Sequence, residues 1–292
     1  MCNLRLSPHH RIPQSHRIIE TTTDGTAKLT MTETYDVNAA PGDDPKAIVR
    51  DWRYPPRVGG CALLVSADEI YLRRFVGGIA ASALLNAMRI HINAIGPSPV
   101  TLTALDALAE RFPGAVSLSV EADYLPAKTR RPYYAASRFF CAQNLITKCN
   151  CGVYVCDIDT LIMRPIPVPK VDYGLFLRDT ADPRFKVAAG LVFVGRGGAP
   201  FLDAMTTFWA RRRPAAWYDD QVCLTEAHDH CRGDRLRAAR LTDRLMGFSY
   251  RPELAVWSAK GERKTSDRAF VRLSRTLSTA LWRRVDQPSM VT

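Results

Sequence analysis

Val153-Tyr154-Val155-Cys156-Asp157-Ile158-Asp159 is an apolar run that ends in two carboxylates one residue apart. Side chains alternate along a strand, so the spacing predicts that Asp157 and Asp159 share a face while Ile158 turns toward the core. Two like charges at the end of a buried strand repel each other, and leaving both ionised costs free energy. A hard divalent cation, Mg²⁺ or Mn²⁺, removes that cost, and such ions commonly complete their shell with substrate phosphates. The stretch points to a nucleotide-diphosphate site at the carboxyl end of a sheet, where open α/β sheets bind ligands. Asp-x-Asp can also simply start a turn or cap a helix. The context favours the first reading: a hydrophobic strand precedes the pair, and Leu161-Ile162-Met163-Arg164-Pro165 follows as a second extended run.

Outward from this stretch, strands and helices alternate. Residues 61–66 form a short continuous apolar run, the pattern of a strand buried on both faces. Residues 68–88 read as a helix, 89–95 as a strand stopped by Gly96-Pro97, 102–112 as a helix, 115–120 as a strand and 131–147 as a helix leading into the quoted run. Such alternation predicts right-handed βαβ units and a mostly parallel sheet. Residues 173–177 and 189–194 look like strands close together, so the sheet is expected to become mixed. Gly195-Arg196-Gly197-Gly198 turns the chain into a helix over 200–211. Without a Walker lysine this turn reads as a strand–helix connection with Pro at the helix start. Residues 1–57 lack clear periodicity and read as a loosely packed leader.

Of the 292 residues 47% are hydrophobic, which excludes a disordered chain. No apolar stretch reaches the roughly 18 residues needed to span a bilayer, and the N-terminal residues carry no hydrophobic segment of the signal-peptide type. A cytoplasmic protein, or one attached to a membrane surface, is expected. The net charge of +11 suits an anionic ligand, and no nucleic-acid motif accompanies it. None of the eight cysteines is expected in a disulfide. Neither Cys149-Asn150-Cys151 nor His228-Asp229-His230-Cys231 has the usual spacing of a zinc site. Residues 268–285 form an amphipathic helix with Phe270, Leu273, Leu277 and Leu281 on one face. A terminal helix packed on the domain accounts for it; a helix lying on anionic lipid is the alternative.

Further pieces, in order, accompany the carboxylate pair. They are Ser66-Ala67-Asp68-Glu69-Ile70-Tyr71 after the first strand, Tyr134-Ala135-Ala136-Ser137-Arg138-Phe139 in the helix before the pair, Asp219-Asp220-Gln221, and Trp257-Ser258-Ala259-Lys260-Gly261-Glu262-Arg263-Lys264. On these motifs, residues 61–264 resemble the retaining glycosyltransferases of family 8, the glycogenin-like and lipooligosaccharide galactosyltransferase group. The resemblance implies a GT-A (Rossmann-like) α/β fold: a single domain over residues 58–266 with a mixed, mostly parallel central sheet flanked by helices. Residues 267–292 follow as the amphipathic basic helix and tail.

The resemblance also implies roles. Asp68 and Tyr71 would hold the nucleotide base and ribose, with Gly190 lining the donor site. Arg138 would hold the donor diphosphate or buttress the metal carboxylates. Asp157 and Asp159 would ligate Mn²⁺ or Mg²⁺. Gln221 would face the anomeric carbon, and Asp220 would contact sugar or acceptor hydroxyls. Gly261 and Lys264 match the family's His-x-x-Gly-x-x-Lys motif, with Lys264 on the β-phosphate. Two positions depart from the family: Ser258 stands where it has a metal-binding His, and Ala188 where it commonly has an Asn that contacts the donor sugar. The implied activity is transfer of a sugar from a nucleotide-diphosphate donor to a glycan, lipid-linked or protein acceptor. A metal-dependent nucleotidyltransferase and a non-catalytic nucleotide-sugar-binding homologue are the alternatives.

Overall fold

The computed structural model describes residues 18–21, 27–30, 50–123, 127–212, 216–233 and 235–287. β1 (Ile18–Thr21) and β2 (Ala27–Thr30) form a two-stranded antiparallel ribbon. From β3 (Arg50–Tyr54) the chain runs through β4 (Cys61–Asp68), α1 (Glu69–Leu85), β5 (Arg89–Ile95), α2 (Pro99–Arg111), β6 (Val116–Glu121), α3 (Ala127–Cys149) and β7 (Gly152–Cys156). β4, β5, β6 and β7 are parallel and lie in the order β6-β5-β4-β7. The chain thus steps outward from β4 on one side and returns to its other side for β7. The carboxyl ends of β4 and β7 flank this reversal, the place where an open α/β sheet leaves a crevice.

After β7 come β8 (Thr160–Ile162), β9 (Tyr173–Leu177), the single-turn α4 (Pro183–Lys186), β10 (Val187–Val194), α5 (Ala199–Ala210) and α6 (Asp219–Cys231). The rest is β11 (Ala238–Arg240), β12 (Met246–Gly247), β13 (Val256–Ser258), the single-turn α7 (Arg263–Ser266) and α8 (Arg268–Asp286). β10 runs antiparallel to β7, and β9 and β11 extend that edge. The main sheet is therefore mixed, with eight strands in the order β11-β9-β10-β7-β4-β5-β6-β3. β8 leaves it to pair with β13 and β12 in a small second sheet. The Gly195–Gly198 region forms a single 3₁₀ turn into α5, as its reading as a connection requires.

The strand faces separate two cores. Tyr154 and Cys156 of β7 face one, with Leu72, Ile79, Trp257 and Phe270; Val153 and Val155 face the other, with Phe139, Phe201 and Leu224. β3 differs from the expected leader: it lies before residue 57 and closes the sheet edge beside β6. Trp52 is buried there, and Arg50 pairs with Glu121 at 3.0 Å. This pairing is non-local, so Arg-Asp-Trp-Arg-Tyr alone gave no strand signal.

α8 lies along α1. Phe270 and Leu281 are buried, and Leu273 and Leu277 pack on the same core. Gly77 and Gly78 permit the close crossing: a Cβ on Gly78 would sit 2.4 Å from the Ser274 hydroxyl oxygen and 3.3 Å from its carbonyl. The apolar face of the helix is therefore covered by the domain, the packed terminal helix of the two readings above, and nothing here supports the alternative contact with lipid. Among the described residues no helix is long and apolar enough to cross a membrane.

A polar chain runs through the second face. His91 bonds Ser117 and Ser119, both at 2.9 Å. Ser119 donates to Asn93 at 2.8 Å, and Asn93 donates to Ser66 at 2.9 Å. Burial, with Arg50 nearby, lowers the His91 pKa to about 3.

Two outcomes are expected. Gly78→Val forces α8 off α1 and lowers stability by roughly 1–3 kcal/mol, read by urea unfolding. Folded His91 stays neutral, whereas the unfolded chain protonates it near 6.5. Its contribution is therefore complete above that pH and is lost as pH falls toward 3, at up to about 1.4 kcal/mol per pH unit. His91→Gln flattens this part of the stability profile; an unchanged slope between the two pH limits refutes the assignment.

Candidate active site

β7 ends at Cys156, and Asp157, Ile158 and Asp159 lie in the bend that leads to β8. A bend after the strand, not alternation within it, brings the two carboxylates together. The Asp157 amide donates to the Gly190 carbonyl at 3.1 Å. A Cβ at Gly190 would stand 3.1 Å from Asp157 Oδ2, so the absent side chain lets the carboxylate lie close against β10.

Arg138 holds this arrangement from α3. It is 7% exposed. One of its terminal nitrogens donates to Asp157 Oδ1. The other donates to the Ala189 carbonyl at 3.2 Å and to Asp220 Oδ2 at 3.3 Å. Burial opposes its charge, but Asp157 and Asp220 hold the guanidinium above its ordinary pKa. The guanidinium thus lies against the carboxylates of Asp157 and Asp220. Two acidic groups from separate elements are drawn onto one planar fork, the geometry at which arginine excels.

Asp159, also 7% exposed, carries the second cation. Lys264 Nζ donates to its Oδ2 at 3.0 Å and to the Tyr71 hydroxyl oxygen at 2.7 Å. The ammonium lies 4.6 Å from the centre of the Tyr71 ring. Burial and the Asp157 charge push the Asp159 carboxyl up, and Lys264 opposes them. Lys264 therefore bridges the carboxylate pair and the exposed Tyr71, 105 residues from Asp159 in sequence.

The first turn of α6 supplies the third wall. Tyr218, before the helix, has φ 76°, a left-handed conformation costly for a residue with a side chain. Asp219 accepts from the Ala216 amide at 2.6 Å. Asp220 turns inward to Arg138; burial raises its pKa, while Arg138 and Lys260 pull it back. Gln221 is 4% exposed, and its Oε1 has no hydrogen-bond partner among the described residues. An orphaned buried amide oxygen is costly unless something else satisfies it.

Asp68 caps α1 by accepting from the Tyr71 amide at 3.0 Å, so its carboxylate already has a structural task at the mouth of the site. Gly261 takes φ 71° in the turn between Ser258 and Lys264, with open space where a side chain would be. Ala188 is wholly buried in the first core and presents nothing to a ligand.

A divalent cation is tested by this donor set. Asp157 Oδ1 is taken by Arg138 and Asp159 Oδ2 by Lys264. Ser258, at the position where the resembled family has a His, is fully buried, and its hydroxyl has no partner among the described residues. A neutral hydroxyl is a weaker third ligand than imidazole or carboxylate. Among the described residues no group of three or more His, Cys, Asp or Glu side chains is placed to hold a metal. The residues present do not fit the expected Mn²⁺ or Mg²⁺.

The polar chain from His91 also reaches this site. Ser66 bonds Ser137 at 2.8 Å, next to Arg138, and Glu121 binds Arg50 and the Tyr133 hydroxyl. The sequence did carry a signal: His91 and Asn93, and Ser117, Ser119 and Glu121, recur at every second position of otherwise apolar strands.

No family model and no curated protein matches the chain by sequence. Solved structures do match by fold. The WbbM bifunctional glycosyltransferase in its apo form is 12% identical, with a TM-score of 0.54 over 79% of this chain; the match spans about half of WbbM, 52%. The galactosyltransferase LgtC, solved with donor and acceptor sugar analogues, is 15% identical, with a TM-score of 0.52 over 77% of this chain and 99% of LgtC. GlyE of Streptococcus pneumoniae TIGR4 is 10% identical, with a TM-score of 0.51 over 81% of this chain and 66% of GlyE. The chain has the α/β fold of these glycosyltransferases, with its largest sheet in the same mixed, mostly parallel class.

Arg138→Met leaves the half-buried Asp157 and the buried Asp220 without their partner. Stability is expected to fall by about 3–5 kcal/mol in chemical unfolding at neutral pH. A loss below that of an ordinary surface substitution refutes the buttress.

Proposed function

We propose that this chain transfers a sugar from a nucleotide-diphosphate donor to an acceptor hydroxyl, with retention of anomeric configuration. One observation supports this above others. Three carboxylates, two cations and an unpartnered amide oxygen converge beside the reversal of a parallel sheet, on a glycosyltransferase-like fold. Such a crevice suits a nucleotide, and cations beside it suit a diphosphate.

In this reading Asp68 and Tyr71 take the base and ribose at the mouth. Lys264, carried by the turn at Gly261, meets the β-phosphate. Gly190 leaves room for the donor beside Asp157. Gln221 Oε1 faces the anomeric carbon, where a neutral oxygen favours the positive charge of an oxocarbenium-like transition state. The bond from that carbon to the phosphate oxygen breaks, and its electron pair leaves on the diphosphate. The acceptor oxygen bonds the carbon from the same face and passes its proton to the departing diphosphate. Asp220, fixed by Arg138, orients a hydroxyl of sugar or acceptor. The acceptor is a glycan, a lipid-linked group or a protein hydroxyl. No step is assigned to a divalent metal, because the donor set does not fit one. All seven described cysteines are free thiols, which suits a reducing cytoplasmic setting.

The test is a panel of nucleotide sugars with the full chain, with release of nucleoside diphosphate as the readout. Release is expected with at least one donor. Gln221→Ala should cut turnover by about 10²-fold while cooperative unfolding persists, because the amide oxygen removed has no partner among the described residues. Release of pyrophosphate instead would establish a nucleotidyltransferase. Nucleotide-sugar binding without turnover would establish a binding homologue.

A further inference from the structure

We infer that Lys264 takes the place of a divalent cation in this site, so that the nucleotide diphosphate is bound, and leaves, without metal. The inference rests on the glycosyltransferase reading and goes beyond it, since that fold is also compatible with a metal-bridged donor.

Three independent features carry it. First, the acidic pair whose repulsion would call for a cation is already neutralised by side chains of the chain itself. Arg138 sits on Asp157 from α3, and Lys264 sits on Asp159 at 3.0 Å from α7. Second, Ser258, which the resemblance puts at the third ligand position, is sealed inside β13 opposite Thr160. Its hydroxyl cannot supply the charge or basicity of the residue type it replaces. Third, Lys264 is held where a diphosphate would need it. Of its three N–H donors, one goes to Asp159 and one to Tyr71, at 3.0 and 2.7 Å. Among the described residues the third has no acceptor and can meet a phosphate oxygen.

The charges also balance. Asp157, Asp159 and Asp220 are three carboxylates. Arg138 and Lys264 pair with them directly, and Lys260 acts on Asp220 through its field. Arg138 and Lys264 each bond one oxygen of their carboxylate, so a divalent ion would meet two cations already seated on the pair and would have only Asp157 Oδ2 and Asp159 Oδ1 to bind beside them.

The consequence is chemical. When the bond between the anomeric carbon and the phosphate oxygen breaks, the negative charge that develops on the diphosphate is met by an ammonium. That group is tethered in the chain and cannot be chelated.

The experiment titrates UDP, GDP, CDP and ADP, as probes of the diphosphate site, into the full chain by calorimetry, with excess EDTA and then with saturating Mn²⁺. At least one nucleotide is expected to bind in EDTA, and saturating Mn²⁺, which itself complexes the diphosphate, should not tighten that binding. Lys264→Met should weaken that binding by about tenfold in EDTA while the variant still unfolds cooperatively. The electron paramagnetic resonance signal of free Mn²⁺ should not fall when wild-type chain is added, with or without nucleotide. This last measurement does not depend on how any variant folds.

Binding that appears only with Mn²⁺, or stoichiometric loss of the free Mn²⁺ signal, overturns the inference and leaves the glycosyltransferase reading standing. Absence of nucleotide binding in both conditions overturns both.

Discussion

Mutual repulsion among Asp157, Asp159 and Asp220 is the constraint around which the working end of this fold is built. The three come from a bend after β7 and from the first turn of α6, and all are drawn into the region beside β10. Water solvates separate carboxylates well; a protein interior does so only when cations or hydrogen-bond donors replace that water. Arg138 answers for two of the three and Lys264 for the third. Because the partners come from α3 and α7, the electrostatic demand of one bend ties together segments far apart in the chain. A single fork on Arg138 fixes where α6 begins relative to β7, and so where Gln221 points.

The backbone around the site is arranged to permit this. Gly190 has no side chain to push Asp157 away. Tyr218 adopts a left-handed conformation that a glycine would take more easily, which places Asp220 inward at the cost of local strain. The buried Ser66–Asn93–Ser119–His91 chain holds the strand ends and α3 in register from below. Buried polar groups are costly when unpaired but specify geometry when each has its partner, and this chain ends one residue from Arg138.

Much of the fold was legible in sequence because parallel strands buried on both faces read as unbroken apolar runs. Residues 61–66 and 153–156 announce themselves in that way, residues 89–95 do so with His91 and Asn93 set into the run, and the intervening helices show their own period. β3 did not, because its inward Arg50 is satisfied by Glu121, 71 positions away, and a charged residue in a short strand otherwise argues for solvent. The amphipathic pattern of α8 was plain, but a pattern gives a face and not its partner. Gly77-Gly78 in α1 was the complementary signal: two adjacent glycines within a helix mark where another backbone approaches. The carboxylate pair was the strongest single clue to the site. What it could not reveal is which cation answers it, since Lys264 and Arg138 are separated from their partners by 105 and 19 positions.

That distinction matters for how such a site works. A divalent ion brings two charges to one point, but it must be bound from solution and must hold its ligands in an oxygen-rich shell. An ammonium brings one charge, already positioned, with directed N–H bonds. The lower charge has to be made up by neighbours, and here Arg138 and Lys260 lie on the same cluster. Long-range attraction can come from the chain as a whole, whose net charge of +11 draws anions before any contact forms. Binding through distributed cations should therefore weaken with added salt more steeply than binding through a coordinated metal, because screening acts on the approach as well as on the exposed part of the contact. The same physics explains why Tyr71 lies beneath Lys264. Its ring face and hydroxyl hold the ammonium in place without adding a second negative charge to that of Asp159, so the cation can still meet an anion that enters there.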